Sequence, residues 1–101
     1  MTRPRVDVQV LAPANRLVAL TGALMLVPGE IPVEVAKKLH GLSRAARSTL
    51  EAREPEVALA MLDTMDGFLT GVEGAHSEAL TRKIADLRAV VTWKPSWGTP
   101  S

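Results

Sequence analysis

Hydrophobic and polar residues change their period along the chain. From Arg5 to Leu11 they alternate, with Val6, Val8 and Val10 on one side and Asp7 and Gln9 on the other. Period two with β-branched residues predicts a strand, bounded by Pro4 and Pro13. A lone strand is not stable. This one requires a second strand, its own copy across a dimer axis, or another protein along its edge.

Beyond Asn15, a plausible N-cap, the apolar residues crowd together: Leu17, Val18, Leu20, Leu24, Met25, Leu26 and Val27. At helical spacing they point in every direction, which predicts a helix to about Val27 buried nearly all round. The competing reading is a hairpin with Leu17–Leu20 and Ala23–Leu26 as strands about Thr21-Gly22. Leu, Ala and Met favour the helix. Pro28-Gly29 ends the element either way.

Three further stripes are helical. Pro32 suits a first helical position, with Glu34 in the first turn, and the stripe Val35, Leu39, Leu42, Ala46 and Leu50 predicts one helix to about Arg53. Pro55 and Glu56 open a third helix with the stripe Ala58, Leu62, Met65, Leu69 and Val72. Gly74 is the expected stop and Ser77 the expected N-cap of a fourth helix carrying Leu80, Ile84, Leu87 and Val91. The phase also allows helices three and four to be continuous, but Gly67, Gly71 and Gly74 each cost about 1 kcal/mol inside a helix and favour a break. The expected fold is mainly α: a small bundle of three to four helices with one short N-terminal β-strand over residues 1–93. A flexible tail is expected over 94–101. Its core is expected to hold Leu39, Leu42, Leu62, Met65, Leu69, Leu80, Ile84 and Leu87.

Composition narrows the chemistry. Among 101 residues, 47% are hydrophobic but only 3% aromatic, so the core must be aliphatic. Cysteine is absent, which removes disulfides, thiolate metal sites and thiol nucleophiles. The net charge of +1 sets up no strong global field toward nucleic acid or an anionic membrane. The longest apolar run, Leu17–Val27, is shorter than the roughly 20 residues a membrane span needs. The expectation is a cytoplasmic protein without membrane contact. Charge is nonetheless uneven. Residues 55–74 hold four acidic and no basic side chains, whereas the flanking segments 32–54 and 75–101 are net basic. An acidic helix between two basic ones suits antiparallel neighbours, each rim pair contributing at most about 1 kcal/mol.

Five features are candidates for function. The run Val35–Ala45 resembles a helix-turn-helix, but Gly41 lies five positions after Ala36 rather than four, and Arg47 falls where a recognition helix buries an aliphatic residue. On one continuous helix, Lys37, His40, Arg44 and Arg47 share a face. They could track a phosphate backbone or dock an acidic partner, or be a solvated face paired with the acidic helix. Glu73-x-x-His76 has the spacing seen in di-iron carboxylate bundles, with Glu51 or Glu54 to complete a set; it also fits an exposed helix end. Gly67 and Gly71, four apart, could admit another backbone or simply loosen the helix. Trp93 and Trp97 could anchor a partner or pack back on the bundle. Motifs for nucleotide binding, nucleophilic catalysis or paired-histidine metal binding are missing, and nothing calls for a cofactor. The resulting expectation is a small non-catalytic interaction, structural or regulatory subunit that self-associates. A DNA-binding regulator using helix 32–53 and a metal-binding bundle are the alternatives.

Overall fold

The structure, a computed structural model, describes residues 8–27, 29 and 31–93; the side chains of residues 8–10 and 93 lie outside that description. Four helices follow one another: α1 (Val8–Leu24), α2 (Val33–Glu51), α3 (Pro55–Leu69) and α4 (Ala75–Trp93). Short connections make consecutive helices antiparallel. Side-chain pairs confirm it: Asn15 meets Arg47 while Thr21 meets Ser43 across α1 and α2, and Arg88 late in α4 meets Asp63 and Asp66 of α3 while Ser77 at the start of α4 meets Val72 just past the end of α3. Helix α1 packs on α2 and α4, and α3 packs on the same two, so the four close into a ring with α1 and α3 on a diagonal.

The expected N-terminal strand is corrected. Residues 5–7 lie outside the described residues, while Val8 to Leu11 form the first turn of α1. Helical spacing decides the matter. Leu11, Ala14, Leu17, Thr21 and Leu24 recur in steps of three and four, and this row turns inward, whereas no strand is present among the described residues to pair with a period-two edge. Pro13 therefore sits inside the helix, buried, where its missing N–H leaves the Gln9 carbonyl without its usual donor. Asn15 is an exposed mid-helix residue rather than an N-cap. Nor is α1 buried all round: Asn15, Arg16, Ala19 and Ala23 face outward. The helix reading of residues 17–27 prevails over the hairpin, although the ordered turns stop at Leu24. Beyond it the backbone tightens into three-residue bonds, Leu26 N–H to Ala23 O at 3.0 Å and Val27 N–H to Leu24 O at 3.4 Å.

Helix α2 is continuous through Gly41, as its stripe predicted. Pro32 is its N-cap rather than its first residue, with its carbonyl accepting from Ala36 N–H at 2.9 Å. The helix ends at Glu51, two residues before the expected Arg53. Arg53 adopts φ 63°, and two backbone bonds close the end: Arg53 N–H to Leu50 O at 3.1 Å and Glu54 N–H to Thr49 O at 2.8 Å. This is the Schellman pattern with arginine at the position that favours glycine.

Helices α3 and α4 are separate. Thr70 and Gly71, at φ 85°, form a turn closed by Val72 N–H to Leu69 O at 3.0 Å, so Gly71 rather than Gly74 is the left-handed stop. Gly74 instead caps α4, its carbonyl accepting from Glu78 N–H at 3.0 Å. The expected cap Ser77 is a buried residue of the first turn whose hydroxyl donates to Val72 O at 2.9 Å.

The buried core is aliphatic: Leu17, Leu39, Leu50, Leu62, Met65, Leu80, Ile84 and Leu87 are fully enclosed. Leu42, expected there, is only half-buried; the inward row of α2 is Ala36, Leu39, Ser43, Ala46 and Leu50. Among the described residues no helix is long and apolar enough to cross a membrane.

Candidate functional site

The basic row of α2 divides into two kinds of residue. Lys37 and Arg44 are exposed. Arg47 is engaged: Nη1 donates to Glu51 Oε1 at 2.9 Å and Nε donates to Asn15 Oδ1 of α1. His40 is half-buried and leans on α1, with Nδ1 3.0 Å from Thr21 Oγ1. The four side chains therefore do not present one uniform cationic stripe. Arg44 and Arg47 flank a shallow groove between α1 and α2, floored by Val18, Gly41 and Ala45. Helix α1 contributes no carboxylate to it.

His40 belongs to a polar cluster that periodicity alone concealed. Thr21 and Ser43 are fully buried, and their hydroxyls lie 2.9 Å apart. Thr21 Oγ1 is also 3.1 Å from Leu17 O and 3.0 Å from Val18 O, and Ser43 Oγ is 2.8 Å from His40 O. Each hydroxyl has one proton and two lone pairs. Thr21 donating to its own helix leaves its oxygen to accept from Ser43 or from a protonated Nδ1. The signal lay in the sequence: Thr21 and Ser43 each interrupt an apolar row, between Leu17 and Leu24 and between Leu39 and Ala46. Neighbouring Gly22 has a reason to be glycine, because a Cβ there would sit 3.2 Å from His40 Cε1. Both hydroxyls are closed to substrate, so the cluster acts as a clasp between α1 and α2 rather than a catalytic group.

The other candidates fare differently. Glu73 lies in the α3–α4 connection and His76 is the second residue of α4, with Gly74 at φ 135° between them. They do not share a helix, so the spacing does not bring them to one face. Among the described residues no group of three or more histidine, aspartate or glutamate side chains could hold a metal. A Cβ on Gly67 or Gly71 would meet nothing within 4 Å, so neither glycine serves a close contact among the described residues. Trp93 ends α4, and Trp97 lies outside the described residues.

One surface was not singled out from the sequence. At the α1–α2 end, Leu26 is 82% exposed, and Val27 and Val33 are about half exposed, at 47% and 49%. Beside them lies an apolar hollow lined by Leu24, Met25, Val27, Ile31, Pro32 and Val33. The signal was an apolar run, Met25-Leu26-Val27, that continues past the last ordered turn of α1. Comparison of the chain with family models, with characterised proteins and with solved structures found no match.

Proposed function

We propose that this chain is a small non-catalytic interaction subunit that self-associates through the apolar end formed by the α1–α2 connection. The observation that carries the reading is the apolar hollow lined by half-exposed Val27 and Val33, with Leu26, next to Val27 in the chain, 82% exposed. Contiguous apolar surface on a small protein marks a contact site. The four-helix ring buries its inward rows without using these side chains, so they are free for a partner. The test is light scattering coupled to size exclusion over a range of concentrations. The wild type is expected to exceed the monomer mass, and Leu26→Lys with Val27→Lys to run as a monomer of unchanged melting temperature. A wild type that stays monomeric throughout overturns the reading.

A second reading is binding of duplex DNA or another polyanion through α2. Exposed Lys37 and Arg44, the latter lining a groove against α1, a helix without carboxylates, favour it. It predicts affinity that falls with salt and a slope that shrinks by about 0.9 for each phosphate contact removed. Lys37→Glu with Arg44→Glu is expected to abolish such binding while leaving self-association intact.

A further inference from the structure

We propose that the apolar hollow at the α1–α2 end takes Trp97 of a second copy, so that the chains associate head to tail; the inference rests on the self-associating reading above and names the occupant. The hollow has a volume of about 330 Å³, and among the described residues its six lining side chains carry no charge. That is the small end of the range for ligand sites and suits one large apolar ring rather than a whole helix. Val27 and Val33, which line it, are 47% and 49% exposed, so these walls become dry only when something is seated there. The chain has two tryptophans, Trp93 and Trp97, both at or beyond the end of α4. An indole buries roughly 150–250 Å² when enclosed, the largest such gain any side chain of this protein offers.

Covalent geometry separates docking within a chain from docking between chains. The antiparallel order places the end of α1, the start of α2, the end of α3 and the start of α4 together, with Trp93 at the opposite end of the bundle. The 19 residues of α4 set its two ends about 27 Å apart at about 1.5 Å per residue. Trp97 follows Trp93 by four residues, which reach at most about 14 Å. That reach falls short of the hollow of its own chain, which leaves the hollow of a neighbour. A contact between two different ends is heterologous, and it grows into a ring or an open chain rather than stopping at a two-fold dimer.

The test uses two single variants of the full chain and their mixture. Trp97→Ala keeps the hollow and removes the ring. Val33→Asp keeps the ring and places a charge at the hollow, and Asp at the first position of α2 is compatible with folding. Circular dichroism checks that both retain the wild-type melting temperature. Each variant alone is expected to associate at least about thirtyfold more weakly than the wild type, the effect of losing a tryptophan anchor. Mixed, they are expected to form a one-to-one heterodimer that grows no further, because one intact tail meets one intact hollow. In Trp93→Phe, which leaves Trp97 as the sole indole, emission is expected to shift to the blue with concentration, and adding Val33→Asp to remove the shift. If Trp97→Ala associates like the wild type while Val33→Asp is monomeric, the tail is not the occupant and the apolar end remains the contact surface. A mixture that yields no heterodimer also overturns the inference. A wild type that is monomeric throughout overturns both readings together.

Discussion

Thr21, Gly22, His40 and Ser43 show how a single contact ties residue choice to helix packing. Gly22 costs α1 about 1 kcal/mol of helix propensity relative to Ala, yet a Cβ there would lie 3.2 Å from the His40 ring. The two effects oppose each other, and removing the ring separates them. Gly22→Ala is expected to be neutral or destabilising in the wild type and to stabilise by about 1 kcal/mol in a His40→Ala background. Urea unfolding of the four proteins measures the difference, and equal effects in the two backgrounds would show that the ring does not press on the helix. Thr21→Val is expected to cost about 1–3 kcal/mol, because it leaves the His40 Nδ1 site without its partner while Ser43 keeps the His40 carbonyl.

At the scale of the element, the inward row of each helix matters more than its hydrophobic residue count. Leu39 is fully buried and Leu42 only half-buried on the same helix. Leu39→Ala is expected to cost about 2–5 kcal/mol, and Leu42→Ala clearly less. Similar losses at both positions would mean that α2 is rotated about its axis from the orientation described. The helix end supplies an independent check. Arg53 adopts the left-handed conformation at φ 63°, which costs a side-chain-bearing residue about 1–2 kcal/mol. Arg53→Gly relieves that strain but adds freedom to the unfolded chain, so a net gain of about 0.5–1 kcal/mol is expected as a higher melting temperature.

For the whole molecule, charge selects among arrangements more than it stabilises any of them. Arg88 reaches Asp63 at 2.7 Å and Asp66 at 2.8 Å, joining the acidic third helix to the basic fourth. Lys38 lies 5.5 Å from the centre of the Phe68 ring and bridges α2 to α3. The Arg88 pairs sit at the rim, where each contributes at most about 1 kcal/mol. Arg88→Met is expected to lower stability by no more than about 2 kcal/mol at low salt. The loss should shrink as ionic strength rises. A loss that is the same in high salt would assign the effect to packing of the arginine stem instead.

The later three helices were legible in the chain because their apolar spacing is a local property: each stripe repeats every three or four residues whatever packs against it. The acidic third helix between basic neighbours was legible for the same reason, since charge is read residue by residue. Of the first helix only the part beyond Asn15 was, and its start was not. Val6, Val8 and Val10 alternate as a strand would, and Leu11, Ala14 and Leu17 repeat as a helix would, over overlapping residues. Local pattern cannot decide where one period gives way to the other; the packing of α1 against α2 and α4 does, because it rewards the row that faces them. The buried hydroxyls of Thr21 and Ser43 also required the tertiary structure. Each is polar by itself and finds its partner 22 residues away, a pairing that exists only once the helices are antiparallel and in register. The exposure of Leu26, Val27 and Val33 has the same origin. Composition counts them as hydrophobic, and only the path of the α1–α2 connection decides that they face outward.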